Sequence, residues 1–215
     1  MRVVAGGYDR QMTTAGTRVG SFIPGGRVRR GAARRDELFD ALVELLLAEG
    51  FSGFTLDDVA ARLRCSKRTL YGLAGSKEQL VTAAVVRFFR SATGHVEAAV
   101  ATESDPADRL AAYLRAVAAQ LEPASARFFE DLASFPPAAE IHERNTRAAA
   151  GRVREIIAEG VESGAFRDVH VGLAAEVIAS TMEAIQQRRI AATTGLADAE
   201  AYEQLATLLV RGLRS

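Results

Sequence analysis

From Asp36 onward, apolar residues recur at helical spacing and turn-forming residues punctuate them, whereas residues 1–35 show no such period. Leu38, Phe39, Leu42, Val43, Leu45 and Leu46 follow Asp36 on one helical stripe, and Gly50 stands where a left-handed glycine would end it. Phe51 and Phe54 bracket Ser52-Gly53 in a short aromatic loop that suits the plug of a small core. Thr55 then caps a short second helix carrying Leu56, Val59, Ala60 and Leu63, with Asp58 three residues on to complete a capping box. Arg64-Cys65 makes a tight break. Ser66 caps a third short helix whose Leu70, Tyr71 and Ala74 can face inward and which Gly75 closes. Ser76-Lys77-Glu78-Gln79 is a second capping box, opening a long helix through Leu80, Ala83, Ala84 and Phe88 to beyond Thr93.

The remainder reads as helix upon helix. Asp105-Pro106 launches a helix from Leu110 to Leu121, and Pro123 restarts one that carries Phe128, Phe129 and Leu132 before Pro136-Pro137 break it. A long helix is expected over 138–163, then a turn at 164–168, a helix from Val171 to Ile190, and a last one from Asp198 to Leu213. No segment alternates with period two for long enough to build a sheet. The predicted class is all-α: an N-terminal three-helix unit with a helix-turn-helix form, and a larger C-terminal helical domain. The expected division is a flexible Arg-rich arm over 1–35, the three-helix domain over 36–80 and the helical body over 81–215. An upstream start or a cloning remnant is the alternative origin of the first 35 residues.

Composition narrows the class. The 215 residues are 48% hydrophobic and 25% charged, so the chain suits a soluble globular protein, and no apolar run approaches the roughly 20 residues of a membrane span. A single cysteine, Cys65, excludes an intramolecular disulfide framework and a multi-cysteine zinc site, and with no apolar leader in 1–35 it suits a cytoplasmic location. Net charge is zero, which alone argues against a nucleic-acid binder, but the sum hides a gradient. Residues 1–35 carry +7, residues 36–90 carry −1 and residues 91–215 carry −6, and the only two lysines are Lys67 and Lys77.

A helix, a tight turn and a second short helix form a unit that can lie across a DNA groove. The outer face of its second helix must be small, polar and basic, because base edges and phosphates present hydrogen-bonding groups and negative charge. Ser66, Lys67, Arg68, Thr69 and Gly72 supply that face, while Leu70 anchors it. Thr55 and Lys77 lie at the N-termini of flanking helices, where backbone N–H groups already favour a phosphate.

Thr55-Leu56-Asp57-Asp58-Val59-Ala60, Ser66-Lys67-Arg68-Thr69-Leu70-Tyr71 and Ser76-Lys77-Glu78-Gln79-Leu80, in this order and spacing, closely resemble the DNA-binding domain of the TetR family of transcriptional regulators. The match covers about Asp36 to Leu80. The resemblance implies that Thr55 and Lys77 contact phosphates, that Lys67, Arg68, Thr69 and Gly72 face bases, and that Tyr71 contacts a phosphate or packs as an aromatic. Three positions depart from the family pattern. Leu73-Ala74 replaces a histidine and a phenylalanine, so one backbone contact is lost; Arg64 replaces the turn glycine and must accept an unusual backbone conformation or reshape the turn; Arg68 stands where a small residue is common.

The resemblance further implies a homodimer formed through the last two helices, a near-palindromic double-stranded DNA operator, and release by a small molecule bound in the helical domain. Leu173, Val177, Ile178, Thr181 and Ile185, with Leu205, Leu208, Leu209 and Leu213, give stripes suited to a four-helix interface or to an ordinary core. Candidate ligand-binding residues are Phe88, Phe89, Tyr113, Phe128, Phe129 and Phe135, with Met182 and Gln186 as adaptable or polar elements. No buried cluster of like charge is legible, which favours a mainly apolar effector. His95, His142 and His170 lack metal-ligand spacing, the pair His142-Glu143 reads as solvated, and no cofactor or catalytic motif is present. Cys65 reads as a small residue filling the turn, or as a redox-sensitive thiol at a helix start. The expectation is a ligand-responsive repressor; the competing class is a helical-bundle enzyme or carrier without DNA binding.

Overall fold

A computed structural model describes residues 25–214, with side chains from Ala33 onward, so the first 24 residues of the expected arm lie outside the described residues. Ten helices follow in order among them: α1 (Gly25–Glu49), α2 (Leu56–Arg62), α3 (Lys67–Tyr71), α4 (Lys77–Val100), α5 (Pro106–Leu121), α6 (Ala126–Ser134), α7 (Pro136–Glu162), α8 (Val171–Gln186), α9 (Arg189–Thr194) and α10 (Asp198–Leu213). The only β-type pairing among the described residues is an isolated antiparallel bridge between Phe166 and Arg214. No described helix is long and apolar enough to cross a membrane.

Capping chemistry sets most boundaries. Thr55 and Asp58 form the expected reciprocal box, and Ser66, Ser76, Asp105 and Ser125 each accept a backbone N–H from the first turn they open. Gln79 departs from its expected role, because its side chain reaches past the cap to Gly75 N at 3.0 Å. Gly50 adopts φ +74° and ends α1 as expected.

Five boundaries differ from expectation. α6 starts at Ala126 behind the Ser125 cap rather than at Pro123. α1 begins at Gly25 rather than Asp36, so residues 25–35 form its first turns. α3 ends at Tyr71 with Gly72 as its cap, and Gly75 lies in the following loop. Pro136 opens α7 instead of only ending α6, since the N–H that proline lacks has no partner in a first turn anyway. Arg188 is left-handed at φ +58°, which divides the expected single helix over 171–190 into α8 and α9.

Two apolar cores share α4. The first joins Leu42, Leu46, Phe51, Val59 and Leu70 to the first half of α4 and to Phe128, Leu132 and Ile141 of α6 and α7. The second packs Val96 and Val100 of α4 against α5, α7, α8 and α10 around Leu110, Leu114, Ile156, Ile178 and Tyr202. Each fully buried Leu, Ile or Phe contributes about 1.5–3 kcal/mol relative to its exposed state. One 24-residue helix therefore belongs to both folding cores.

Candidate functional site

The outer face of α3 is built on one buried anchor. Leu70 is 1% exposed, while Ser66, Lys67, Arg68, Thr69, Tyr71 and Gly72 are all exposed. Arg64 takes φ +50°, so the backbone keeps the turn that a glycine would make and the side chain accepts the left-handed region. Cys65 is half-buried against the first core, and burial pushes its thiol up, which opposes a thiolate and fits a turn-filling side chain. Leu73 and Ala74 likewise pack on that core.

Several polar groups on this face already have internal partners. The Thr55 hydroxyl donates to Asp58 Oδ2 at 2.6 Å, and this bond together with the Thr55 backbone N–H holds the Asp58 carboxyl below its ordinary value. Ser66 Oγ lies 2.8 Å from Thr69 Oγ1 and also accepts the Thr69 N–H. Lys67 Nζ donates to Asp57 Oδ2 at 2.9 Å, and that bond raises the ammonium above its ordinary value. Lys77, at the first position of α4, donates to Ser52 O at 3.2 Å. Among the described residues the Arg68 and Tyr71 side chains make no hydrogen bond or ion pair, and both are exposed.

Sequence reasoning missed two struts behind this face. Arg35, placed in the arm by pattern, donates to Gly72 O at 3.2 Å and Leu73 O at 3.1 Å, holding the C-terminal carbonyls of the α3 turn. Arg87 of α4 bonds Asp40 at 2.7 Å and Asp36 at 3.2 Å, tying α1 to α4. A third missed residue, Asp131 of α6, is 4% exposed and accepts the Phe51 N–H at 2.5 Å and the Ser52 N–H at 2.8 Å. It fastens the α1–α2 loop to the helical body.

The body holds a cavity of about 450 Å³ between α4, α5, α7 and α8. Of the residues expected to line it, Phe89, Tyr113, Met182 and Gln186 do so. Phe88 and Phe128 instead fill the first core, edge to face at 5.9 Å. Phe129 lines a second cavity beside α10, and Phe135 lines a third against Ser52, Lys77 and Asp131. His142, read from sequence as solvated, is a wall of the main cavity, stacked on Phe89 with ring centroids 5.7 Å apart. Burial lowers its pKa, so the ring is neutral near pH 7. Burial pushes the Tyr113 hydroxyl up to about 12. The charged lining, also missed, comprises Glu97, Arg152, Glu155 and Glu183. These groups sit on three different helices, so no local run of sequence displays them together.

The exposed apolar residues on α8 and α10 complete the picture. Leu173, Val177 and Leu208 are 63%, 52% and 69% exposed, whereas Ile178, Ile185, Leu205 and Leu213 of the same expected stripes are buried within the monomer. Among the described residues no group of three His, Cys, Asp or Glu side chains is arranged to hold a metal.

A short, hydroxyl-capped helix presented over a three-helix head, and joined by one long helix to a cavity-bearing body, defines a helix-turn-helix regulator. Residues 38–84 match the family model for bacterial regulatory proteins of the tetR family, and residues 103–187 match that for the tetracyclin repressor-like C-terminal domain. Together these stretches span more than half the chain, which belongs to the TetR family of DNA-binding transcriptional regulators. Members are regulators rather than enzymes, which sets aside the helical-bundle enzyme or carrier.

Over 44 residues the chain is 54% identical to an uncharacterized HTH-type transcriptional regulator, YvaF of Bacillus subtilis; the match spans 20% of this chain and 23% of that protein. Among solved structures, the TetR family regulator PfmR of Thermus thermophilus is 23% identical, with a TM-score of 0.64 over 84% of this chain and 100% of that one. A TetR regulator of Haloarcula marismortui is 16% identical, with a TM-score of 0.72 over 86% and 100% of the two chains. A candidate transcriptional regulator of Saccharomonospora viridis, solved in complex with choline, is 15% identical, with a TM-score of 0.72 over 86% and 99%. At these identities the likeness to the solved structures is one of fold.

Proposed function

We propose that this regulator is a homodimeric, cytoplasmic repressor, released from a near-palindromic operator when a small, mainly apolar molecule enters the α4/α5/α7/α8 cavity. The observation that carries the reading is the α3 face: Lys67, Arg68, Thr69 and Gly72 are exposed around a single buried anchor, Leu70. In this reading the DNA-reading domain is residues 36–80 and the effector and dimer domain is 81–215, with any arm N-terminal to them adding salt-sensitive contacts. Lys67, Arg68, Thr69 and Gly72 face base edges; Thr55, Ser66, Tyr71 and Lys77 face the backbone. An arginine reading guanine with both of its donors is worth about 1–3 kcal/mol of discrimination.

Leu173, Val177 and Leu208 support a second copy, since three exposed apolar side chains on two terminal helices leave a surface that association would bury. The main cavity supports an effector, and Phe89 and Met182 support its apolar character. The choline in the S. viridis structure is a precedent for a small organic ligand on this fold. A ligand releases DNA only insofar as it binds the DNA-incompetent arrangement more tightly.

The test is electrophoretic retardation on the DNA upstream of the protein's own reading frame. A salt-sensitive shift that the K67A/R68A double variant abolishes, with helical content and dimerisation intact, is the expected result. A full-length protein that shifts no promoter-proximal fragment, or a double variant that retains specific affinity, refutes the reading.

A further inference from the structure

The main cavity has a neighbour. A second cavity of about 210 Å³ lies beside α10, with Ala118, Phe129, Ile185, Ala199 and Tyr202 in its wall. The two share Leu121 and Gln186. The Gln186 amide spans this partition: its Oε1 lies 3.4 Å from His142 Nε2 on the main-cavity side, and its Nε2 donates to the Tyr202 hydroxyl at 3.2 Å on the other. The links are at or beyond the long end of the hydrogen-bond range, so the amide is loosely tethered across the partition. Behind it lies mostly apolar space, whose wall also holds Glu122 and Arg188, the latter paired with Asp198 at 3.3 Å.

The lining of the main cavity favours one sign for a ligand's head, through carboxylates of which Glu155 and Glu183 are exposed. Glu97, Glu155 and Glu183 come from three helices and face one cation, Arg152. That guanidinium is occupied: its Nε bonds both Glu97 oxygens at 3.0 and 3.1 Å, and its third bond goes to Glu155 at 3.0 Å. An anionic head would meet a surplus of carboxylate and no free cation. A cationic head meets that surplus with the Phe89, Tyr113 and His142 rings nearby.

We propose that the two cavities are one effector site divided by Gln186, and that the ligand is a single-chain organic cation whose head stays in the main cavity and whose alkyl tail passes Gln186. This rests on the reading of the cavity as an effector site. Gln186 is then the residue that sets tail length.

The probes are butyl-, octyl- and dodecyltrimethylammonium, below their micelle concentrations, with alkyl carboxylates of matching length, titrated calorimetrically into the full chain. Affinity should rise with tail length by about fourfold for each methylene buried past Gln186 (about 0.8 kcal/mol each), and the carboxylates should bind at least about tenfold more weakly. Tyr202→Phe removes one tether of the amide without changing the shape of the wall; it should tighten dodecyl binding while leaving butyl binding unchanged. Glu183→Gln should weaken all three cations alike. A flat length series, carboxylates that bind as well as the cations, or a Tyr202→Phe effect equal for butyl and dodecyl overturns the proposal. Cations that fail to bind a protein still able to shift DNA also overturn it while the regulator reading stands; cations that bind a protein unable to shift DNA support the site and refute the regulator.

Discussion

Removing the Asp131 carboxylate tests whether the α1–α2 loop is fastened to the body by an acceptor or merely rests against it. Both donors, Phe51 N–H and Ser52 N–H, converge on the same oxygen, Oδ2, and Phe51 is 5% exposed, so its N–H loses its acceptor in a buried setting once that oxygen is gone. Hydrogen bonds to a charged group contribute about 1.5–3 kcal/mol each, and two that share one atom are worth less than twice that, so Asp131→Ala should cost about 3 kcal/mol. Asp131→Asn keeps a carbonyl oxygen for both donors and loses the charge, at about 1 kcal/mol. Arg127→Ala should cost less than about 1 kcal/mol, because the guanidinium that holds Oδ1 at 3.3 Å is 58% exposed.

Urea unfolding at fixed protein concentration, followed by circular dichroism, reads the series. Asp131→Ala within about 1 kcal/mol of the parent protein, or Asp131→Asn as damaging as Asp131→Ala, would refute the clamp. Acid gives an independent reading. Burial alone would raise this carboxyl, but the Ser52 and Phe51 N–H groups, with Arg127, outweigh it and hold it below the ordinary value. A depressed carboxyl stabilises fully above its unfolded value, about 3.9, and that stability is lost as pH falls through the folded value. The parent and Asp131→Asn stabilities should therefore converge below about pH 4.

Three further outcomes follow from the head. Arg64→Gly relieves a left-handed residue at φ +50°; about 1–2 kcal/mol of strain against about 0.5–1 kcal/mol of added chain entropy gives a net gain near 0.5–1 kcal/mol, seen as a raised urea midpoint at unchanged slope. Loss of stability would show that the Arg64 side chain is required in the turn. Arg35→Ala removes the donors on Gly72 O and Leu73 O, and should weaken specific DNA binding about tenfold in retardation assays while the melting temperature hardly moves; unchanged affinity would free α3 from this strut. Asp57→Asn releases Lys67 from an exposed, solvent-screened pair, so DNA affinity should rise up to about fivefold and its salt dependence steepen; weaker binding would mean that Asp57 aims the lysine rather than competing for it.

What could be read from the sequence is local in the chain. The Thr55–Asp58 box, the Ser66 and Ser76 caps and the Asp105-Pro106 start each involve groups within four residues, and each is found as expected. The misreadings have long reach or ambiguous chemistry. Arg35 acts across 37 residues and Asp131 across 80, so neither has a signature in its own neighbourhood. Pro136-Pro137 serves equally as a stop and as a first turn, and only the packing of α7 decides. His142 looked solvated because Glu143 follows it, yet its ring turns inward to Phe89 while its neighbour is exposed.

The division of the expected aromatic wall carries a mechanical consequence. Phe88 and Phe89 are consecutive on α4 with ring centroids 5.0 Å apart; both are buried in the core shared with the head, and Phe89 also stacks on His142 at the cavity. Arg87, the residue before them, grips Asp36 and Asp40 of α1. Three successive side chains therefore touch the first helix, the head core and the main cavity. On the proposed reading, a ligand that pushed Phe89 aside would act on the same helical turn that holds α1, and close-packed side chains transmit such a shift rather than absorb it. Arg35 continues the path, because α1 carries it to the carbonyls that end α3. The cavity and the α3 face are thus joined by consecutive contacts through α4 and α1, with the Asp131 clamp as a separate tie through α6.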